Sequence, residues 1–491
     1  EFIKRAQYYK NIFDKNTGFF RGKSNGCFIE PFDATQVNFM LTEANTWQYN
    51  FFVPQDINTH IELLGGDDNY EAKLDTLFST TSELSGRHQS DITGLIGQYA
   101  HGNEPSHNMA YLYNYIGKPW KTQKLINQIS SELYSNAPDG LSGNEDCGQM
   151  SAWYVMSAMG FYPVTPGSTT YVIGTPLFNE LEIHLENSNI FTIKALRESS
   201  DDIYVQTVWH NGNEYPRSYI THDMIMDGGE LVFGMGNKPN PDFGKAISSR
   251  PKQKIIDFII TPVPYFESQS KTFINEMEIS IGDISDNSDI SFIQNDGKTN
   301  NYTSTFSITN SIKLTSYAEL NGVKSFTEKA EFIKIPFNRN IILGTQFSSQ
   351  YTAGGNNALI NTIRGGYDFK TGNWQGYRGK NLEAVVDLGK PQNISKVGIG
   401  FLQDENSWIF MPLTVKFEYS IDGVKYMPLG IVKNTISQHS TGAIIKDFIV
   451  SNVNKPIRFI RVSAINQGVC PEWHKGVGES CWIFADEIWV E

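Results

Sequence analysis

Apolar residues recur at three- and four-residue steps through the first third of the chain, and at alternate positions through most of the rest. The helical spacing runs through EFIKRAQYYKNIFD (1–14), DATQVNFMLTEANTWQYNFF (33–52), NYEAKLDTLFSTTSEL (69–84), HNMAYLYNYIG (107–117), KPWKTQKLINQISSELY (118–134) and CGQMSAWYVMSAMGFY (147–162). Each predicts an amphipathic helix. Long polar loops separate them: DKNTGFFRGKSNGCFIEPFD, SGRHQSD, AHGNEPSHN and SNAPDGLSGNED. Ordered loops of that length usually carry function. Helix pairs joined by such loops suggest an (α/α) toroid with its site at the loop end.

After YPVTPG the period changes to two. TYVIGTP, LEIHL, FTIKAL, IYVQTVWHNG and ELVFGMG predict antiparallel strands. Weaker β runs among Ser, Asn and Asp follow, and then a second strong set: AVVDLG, KVGIGFL, TVKFEYSIDG and IRFIRVSAI. The predicted class is multidomain α + β. Residues 1–165 are a helical region, 166–265 an antiparallel β domain, 266–344 a small β-sandwich spacer and 345–491 a C-terminal β-sandwich.

Length and charge narrow the picture. A chain of 491 residues suggests about three domains of ~100–200 residues. Its net charge of −13 argues against nucleic acid and anionic lipid as partners. No apolar run approaches the ~18 residues of a membrane span. Aromatics make up 13%, which suits either sugar stacking or aromatic-rich β cores. The chain opens inside an amphipathic helix with no Met and no signal peptide, and reads as a processed product or a piece of a longer protein. Cys470 and Cys481 stand close enough in sequence to pair in an exported compartment, and free buried thiols fit equally. No Cys/His spacing suggests zinc.

Three loops gather titratable groups. The first holds Glu43, Asn45, Trp47 and Gln48. The second holds Asp91, His101, Asn103, Glu104 and His107, and the third Asp139, Asn144, Glu145, Asp146 and Gln149. Singly these are ordinary caps and surface charges; Asn144 or Asp146 could cap the next helix. Together they offer separated carboxylates, which suit acid–base cleavage of an acetal. An Asn–Glu pair beside further carboxyls supplies hard oxygen ligands. Oxygen donors outnumber imidazoles, which favours Ca²⁺ over a transition metal.

TEANTWQYNFFVPQD, DITGLIGQYAHGNEPSHN and GLSGNEDCGQMSAWYVMSAMGFYPVTPGSTTYVIGTPLF resemble, in order, the signature stretches of glycoside hydrolase family 92. The resemblance covers residues 1 to about 260. It implies a calcium-dependent, inverting exo-α-mannosidase built on an (α/α)6 toroid, of which this chain carries a part. It implies Glu43 as general acid and Asp146 as general base, with Glu145 and Asn144 as supporting candidates. Asn103 and Glu104 fall at the calcium positions, and Trp47, Gln48, His101 and His107 at the sugar pocket. Ala44 stands where the pattern has glycine, and Asn108 where a second histidine is common.

Further on, YDFKTGNWQGYRGKNLEAVVDLGK, SIDGVKY, IRFIRV and CWIFADEIWVE resemble the discoidin (F5/8 type C) fold, grouped with family 32 carbohydrate-binding modules. That resemblance implies a structural calcium near Asp368 and Glu487, with Trp374, Tyr377, Trp408, Trp473 and Trp482 as candidate sugar platforms. The 266–344 spacer resembles small Fn3-like modules of exported glycosidases. The expected substrate is a mannose-containing glycan, an N-glycan or mannan, met outside the cytoplasm. The missing N-terminal portion of the same protein is an expected partner. The alternative is a non-catalytic glycan-binding protein that acts through the discoidin-like module, with the helical part as scaffold.

Overall fold

The computed structural model describes residues 1–285, 287–295, 297–335 and 338–491. The chain divides into two compact units. The first comprises Glu1–Glu267, Ser280–Ser304 and Leu314–Ala330; the second comprises Ser268–Ile279, Thr305–Lys313 and Glu331–Glu491. Strands of the 266–344 segment are therefore shared between the two units.

In the first unit the longest helices are Asp67–Ser79, Pro119–Glu132 and Gln149–Met159, joined by a 3₁₀ segment at Met109–Ile116. Pro119 occupies the first turn, where its missing N–H costs nothing, and Gly160 closes the last of these helices with φ 102°. Their apolar faces meet in one core that includes Tyr70, Leu74, Tyr111, Ile126 and Trp153, all at or near 0% exposure. Burying each such side chain contributes about 1.5–3 kcal/mol. Among the described residues no helix is long and apolar enough to cross a membrane.

Three predicted helices are not formed as expected: 107–117 is the 3₁₀ segment, buried at every residue from Met109 to Ile116, and two others depart further. Residues 33–52 become a short strand at Gln36–Val37, a loop, and one helical turn at Thr46–Tyr49. The cause is Asn45, which caps that turn: its Oδ1 accepts from the Gln48 N–H while Gln48 Oε1 accepts from the Asn45 N–H. Such an Asn starts a helix rather than continuing one. Residues 1–14 hold a helix only at Phe2–Arg5 and a 3₁₀ turn at Tyr8–Ile12. Phe13–Asp14 then pairs with Phe19–Phe20 in a hairpin, pinned by the Arg21–Asp14 ion pair at 2.7 Å. A helix at Ile57–Leu63 was not predicted.

The alternating runs form strands as read, but one pairing departs from the expected antiparallel arrangement. Glu180–His184, Ile190–Leu196, Gly229–Gly236, Tyr204–His210 and Asn213–Glu214 make a five-stranded sheet in that order. All its pairings are antiparallel except Ile190–Leu196 with Gly229–Gly236. Phe191, Ile193, Val205, Val208, Leu231 and Phe233 face its core.

In the second unit two long strands, Leu382–Gln403 and Ile444–Ala464, pair over most of their length. Trp482–Val490 lies on the other side of Leu382–Gln403, and Gln375–Arg378 pairs in turn with it. The core holds Val397, Ile399, Phe401, Phe448, Val462 and Ile488. Trp374 and Tyr377 are 1% exposed and belong to the interior, so they offer no sugar platform. Trp473 is 43% exposed and stacks on His439 at 4.1 Å. Cys470 and Cys481 are buried free thiols, and burial pushes the Cys470 thiol up to about 11.

Candidate active site

The three polar loops come together. Asn103 donates from Nδ2 to the Glu43 carbonyl at 3.1 Å, tying the second loop to the first. Asn144 donates from Nδ2 to Asp91 Oδ1 at 3.2 Å, tying the third to the second. The second and third loops also touch at glycine: a Cβ on Gly143 would meet the Gly102 Cα at 2.6 Å. Only a glycine at 143 allows that approach.

The carboxylates differ in what occupies them. Glu145 accepts from both the backbone N–H and the hydroxyl of Ser151, at 3.2 and 2.8 Å, on the first turn of the Gln149–Met159 helix. Asp91 accepts from Gln89, Ser90 and Asn144. The exposed Glu43 and Asp146 carboxylates make no hydrogen bond among the described residues. Glu43 has φ 56°, and Cys147, next to Asp146, has φ 52°. Left-handed backbone at non-glycine residues costs energy and gathers at functional sites.

Glu104 is half-buried, and its Oε1 is buried with no hydrogen-bond partner. Its carboxyl lies above the ordinary range because of burial, and then because Asp146, Glu43 and Asp91 are near. A carboxylate oxygen left unpaired among other carboxylates suits a cation. Asn103 spends its amide N–H on Glu43 and leaves Oδ1, a second hard oxygen. Among the described residues no group of three or more His, Cys, Asp and Glu is arranged to hold a metal.

The histidines are fixed by deduction. Tyr134 donates its hydroxyl proton to the Met150 carbonyl at 3.1 Å. It must therefore accept from His101 Nε2–H at 2.7 Å, which leaves His101 Nδ1 to accept from the Tyr99 hydroxyl at 2.7 Å. His107 donates from Nε2 to the His101 carbonyl at 3.0 Å and accepts at Nδ1 from Gln149 Nε2 at 3.2 Å. Neither ring keeps a nitrogen for a metal or a sugar. Burial, reinforced by His107, lowers His101 to about 2; burial lowers His107 to about 4. These hydrogen bonds bolt HGNEPSHN to the helix that follows GNEDCG. Tyr134, Gln149 and Trp153, whose Nε1–H reaches the His107 carbonyl at 3.0 Å, complete that bolt. Of these only Gln149 was marked in the sequence, and without a role.

Trp47 is half-buried, edge-on to Phe19 at 4.7 Å. Gln48 is 3% exposed, with its oxygen in the capping box and its Nε2 unpartnered. In the second unit Asp368 Oδ1 accepts from the Lys370 N–H, while the buried Glu487 accepts from the Thr362 N–H at 2.9 Å.

Two exposed carboxylates without hydrogen bonds, Glu43 and Asp146, thus lie near the unpartnered Oε1 of Glu104. Residues 1–237 match the glycosyl hydrolase family 92 catalytic domain. An uncharacterized secreted glycosidase of Arthroderma benhamiae is 32% identical over 199 residues, which is 40% of this chain and 24% of that protein. A family GH92 alpha-mannosidase from Bacteroides thetaiotaomicron is 40% identical (TM-score 0.46), over 50% of this chain and 32% of that one. A GH92 inverting mannosidase of the same organism is 37% identical (TM-score 0.45), over 50% of this chain and 35% of that one. The chain thus spans about a quarter of the curated relative and a third of the two solved structures.

Proposed function

We propose that residues 1–237 form part of an exported, calcium-dependent exo-α-mannosidase that cleaves with inversion, and that the helices are a portion of an (α/α)6 toroid. The carrying observation is Glu104: its Oε1 is unpaired, and Asp146, Glu43 and Asp91 are the carboxylates that act on it. The family match over residues 1–237 supports the same reading. Glu43 holds the proton for the leaving oxygen. Asp146 takes a proton from the water that attacks the anomeric carbon on the opposite face, which sets the inversion. Glu145 is occupied by Ser151 and Asn144 by Asp91, so both support the loop rather than the proton transfer. Glu104 and Asn103 would hold the calcium, which supplies a Lewis-acidic clamp on neighbouring sugar hydroxyls. Trp47 and Gln48 line the pocket. The substrate is a mannose-terminated glycan such as an N-glycan or mannan.

In the second unit, a discoidin-like carbohydrate-binding module, the buried Glu487 and the loop containing Asp368 would flank a structural calcium. The test is mannose release from an α-mannobioside by the full-length protein, with the anomer followed by NMR. β-Mannose appearing first, and loss of activity in excess chelator, are expected. α-Mannose first would overturn inversion, and undiminished activity in chelator would overturn the calcium role.

A further inference from the structure

The outer face of the second unit's sheet holds a groove of about 590 Å³ whose floor follows from strand register. Three rows of residues cross the Ile444–Ala464, Leu382–Gln403 and Trp482–Val490 strands. Ser451 pairs with Lys396, which bonds on to Glu491; Ile449 pairs with Gly398, which pairs with Trp489; Asp447 pairs with Gly400, beside Asp486. The residues between them on the same strands, Val397, Ile399, Phe448 and Ile488, point into the core. The central strand thus presents Lys396, Gly398 and Gly400 outward, and two successive glycines make a trough. The Trp489 ring lies over Gly398, where any Cβ would strike it. A side chain at Gly400 would strike Asp486, Asp447 and Arg364.

Each end of the trough is polar and held in place. Arg364 donates from Nε to Asp486 at 2.8 Å and from Nη2 to Asp447. Lys396 pairs with Glu491 at 2.6 Å at the other end. Both cations are already matched by carboxylates, so the groove has no surplus positive charge for a phosphate or sulfate. Arg364, Asp447, Lys396 and Glu491 still expose 29–55% of their side chains, so each has capacity for a further hydrogen bond. The Trp489 N–H is buried and unpartnered, so what this residue offers a ligand is ring surface. An indole floor between two pairs of opposed charges fits a neutral polyhydroxylated ring. Its C–H face would lie on the indole, and adjacent hydroxyls would bridge each carboxylate and cation.

We propose that this groove is a binding site for a neutral saccharide, separate from the exposed Trp473–His439 pair, which does not line it. The site stands independently of the chemistry assigned to residues 1–237. The test titrates the full chain, by calorimetry, with methyl α-mannoside, methyl β-galactoside and a sulfated disaccharide. Binding of at least one neutral glycoside is expected. Trp489→Ala and Asp447→Ala should each weaken it about tenfold, ~1.4 kcal/mol. Trp489→Phe, which keeps a flat ring, and Trp473→Ala should retain it. Binding that survives Trp489→Ala and is lost in Trp473→Ala would overturn the proposal. So would tighter binding of the sulfated probe, or no binding by either neutral glycoside.

Discussion

The Asn103 side chain holds the backbone carbonyl of Glu43 at 3.1 Å, so the loop proposed to carry the cation also sets the backbone of the proposed acid. Asn103→Leu keeps the volume and removes both the amide donor and Oδ1. It should weaken calcium binding, read by calorimetry, and lower mannose release together. The Glu43 carbonyl loses its amide donor, so thermal stability should also fall. Calcium affinity unchanged in this variant would remove Asn103 from the ligand set.

The division of labour between Glu145 and Asp146 predicts opposite outcomes for two neighbouring substitutions. Asp146→Asn should cost on the order of 10²–10⁴-fold in rate, the usual range for a lost general base. Glu145→Gln should cost far less in rate, because its oxygen can still accept from Ser151. Initial-rate kinetics on one α-mannobioside separates the two; the reverse ranking would move the base to Glu145.

His60 is wholly buried, stacked on Phe20 at 5.3 Å, with neither ring nitrogen hydrogen-bonded. Burial lowers it to about 3 from an unfolded value of 6.5. The unfolded chain therefore takes up a proton that the folded chain refuses. The stability contribution is present above about pH 6.5 and is lost as pH falls towards about 3. His60→Phe should raise stability near neutrality by ~1 kcal/mol and flatten the acid limb of an unfolding curve.

Glu487 has the opposite sign. Burial pushes its carboxyl up to about 8, from 4.5. Without a metal, its contribution is fully present below about 4.5 and is lost as pH rises through about 8, a loss of a few kcal/mol. Glu487→Gln should abolish that loss in thermal unfolding scans at about pH 5 and about pH 9. Added calcium should rescue the wild-type chain at high pH and leave the Gln variant unmoved. No calcium effect on the wild type would remove the second metal.

Much of this architecture was legible in the chain. Alternation in FTIKAL and ELVFGMG fixed which residues face the core, because a period of two leaves one choice of inward face. The 33–52 stretch misled because its apolar spacing is helical while Asn45 prefers a cap. The Ile57–Leu63 helix was visible in principle, from Asp56 followed by Ile57, His60, Ile61 and Leu64. Among site residues, the proximity of the three loops followed from their recurrence between helices. The histidine tautomers did not, since they depend on Tyr134 and Met150, thirty or more residues away from His101. Which carboxylates were occupied was equally invisible, because Ser151 looks like any helix serine until its hydroxyl is seen on Glu145.

The contact between Gly102 and Gly143 has a consequence for heredity and engineering alike. Neither loop is a portable cassette. A scaffold that received HGNEPSHN alone would meet a side chain where Gly143 now makes room, and the borrowed loop would be displaced from its carboxylate neighbours. Any transplant, natural or designed, has to move GLSGNED with it. Substitution at Gly143 is tolerable only where the Gly102 loop has already withdrawn, so the two segments should be inherited as a single unit although some forty residues separate them.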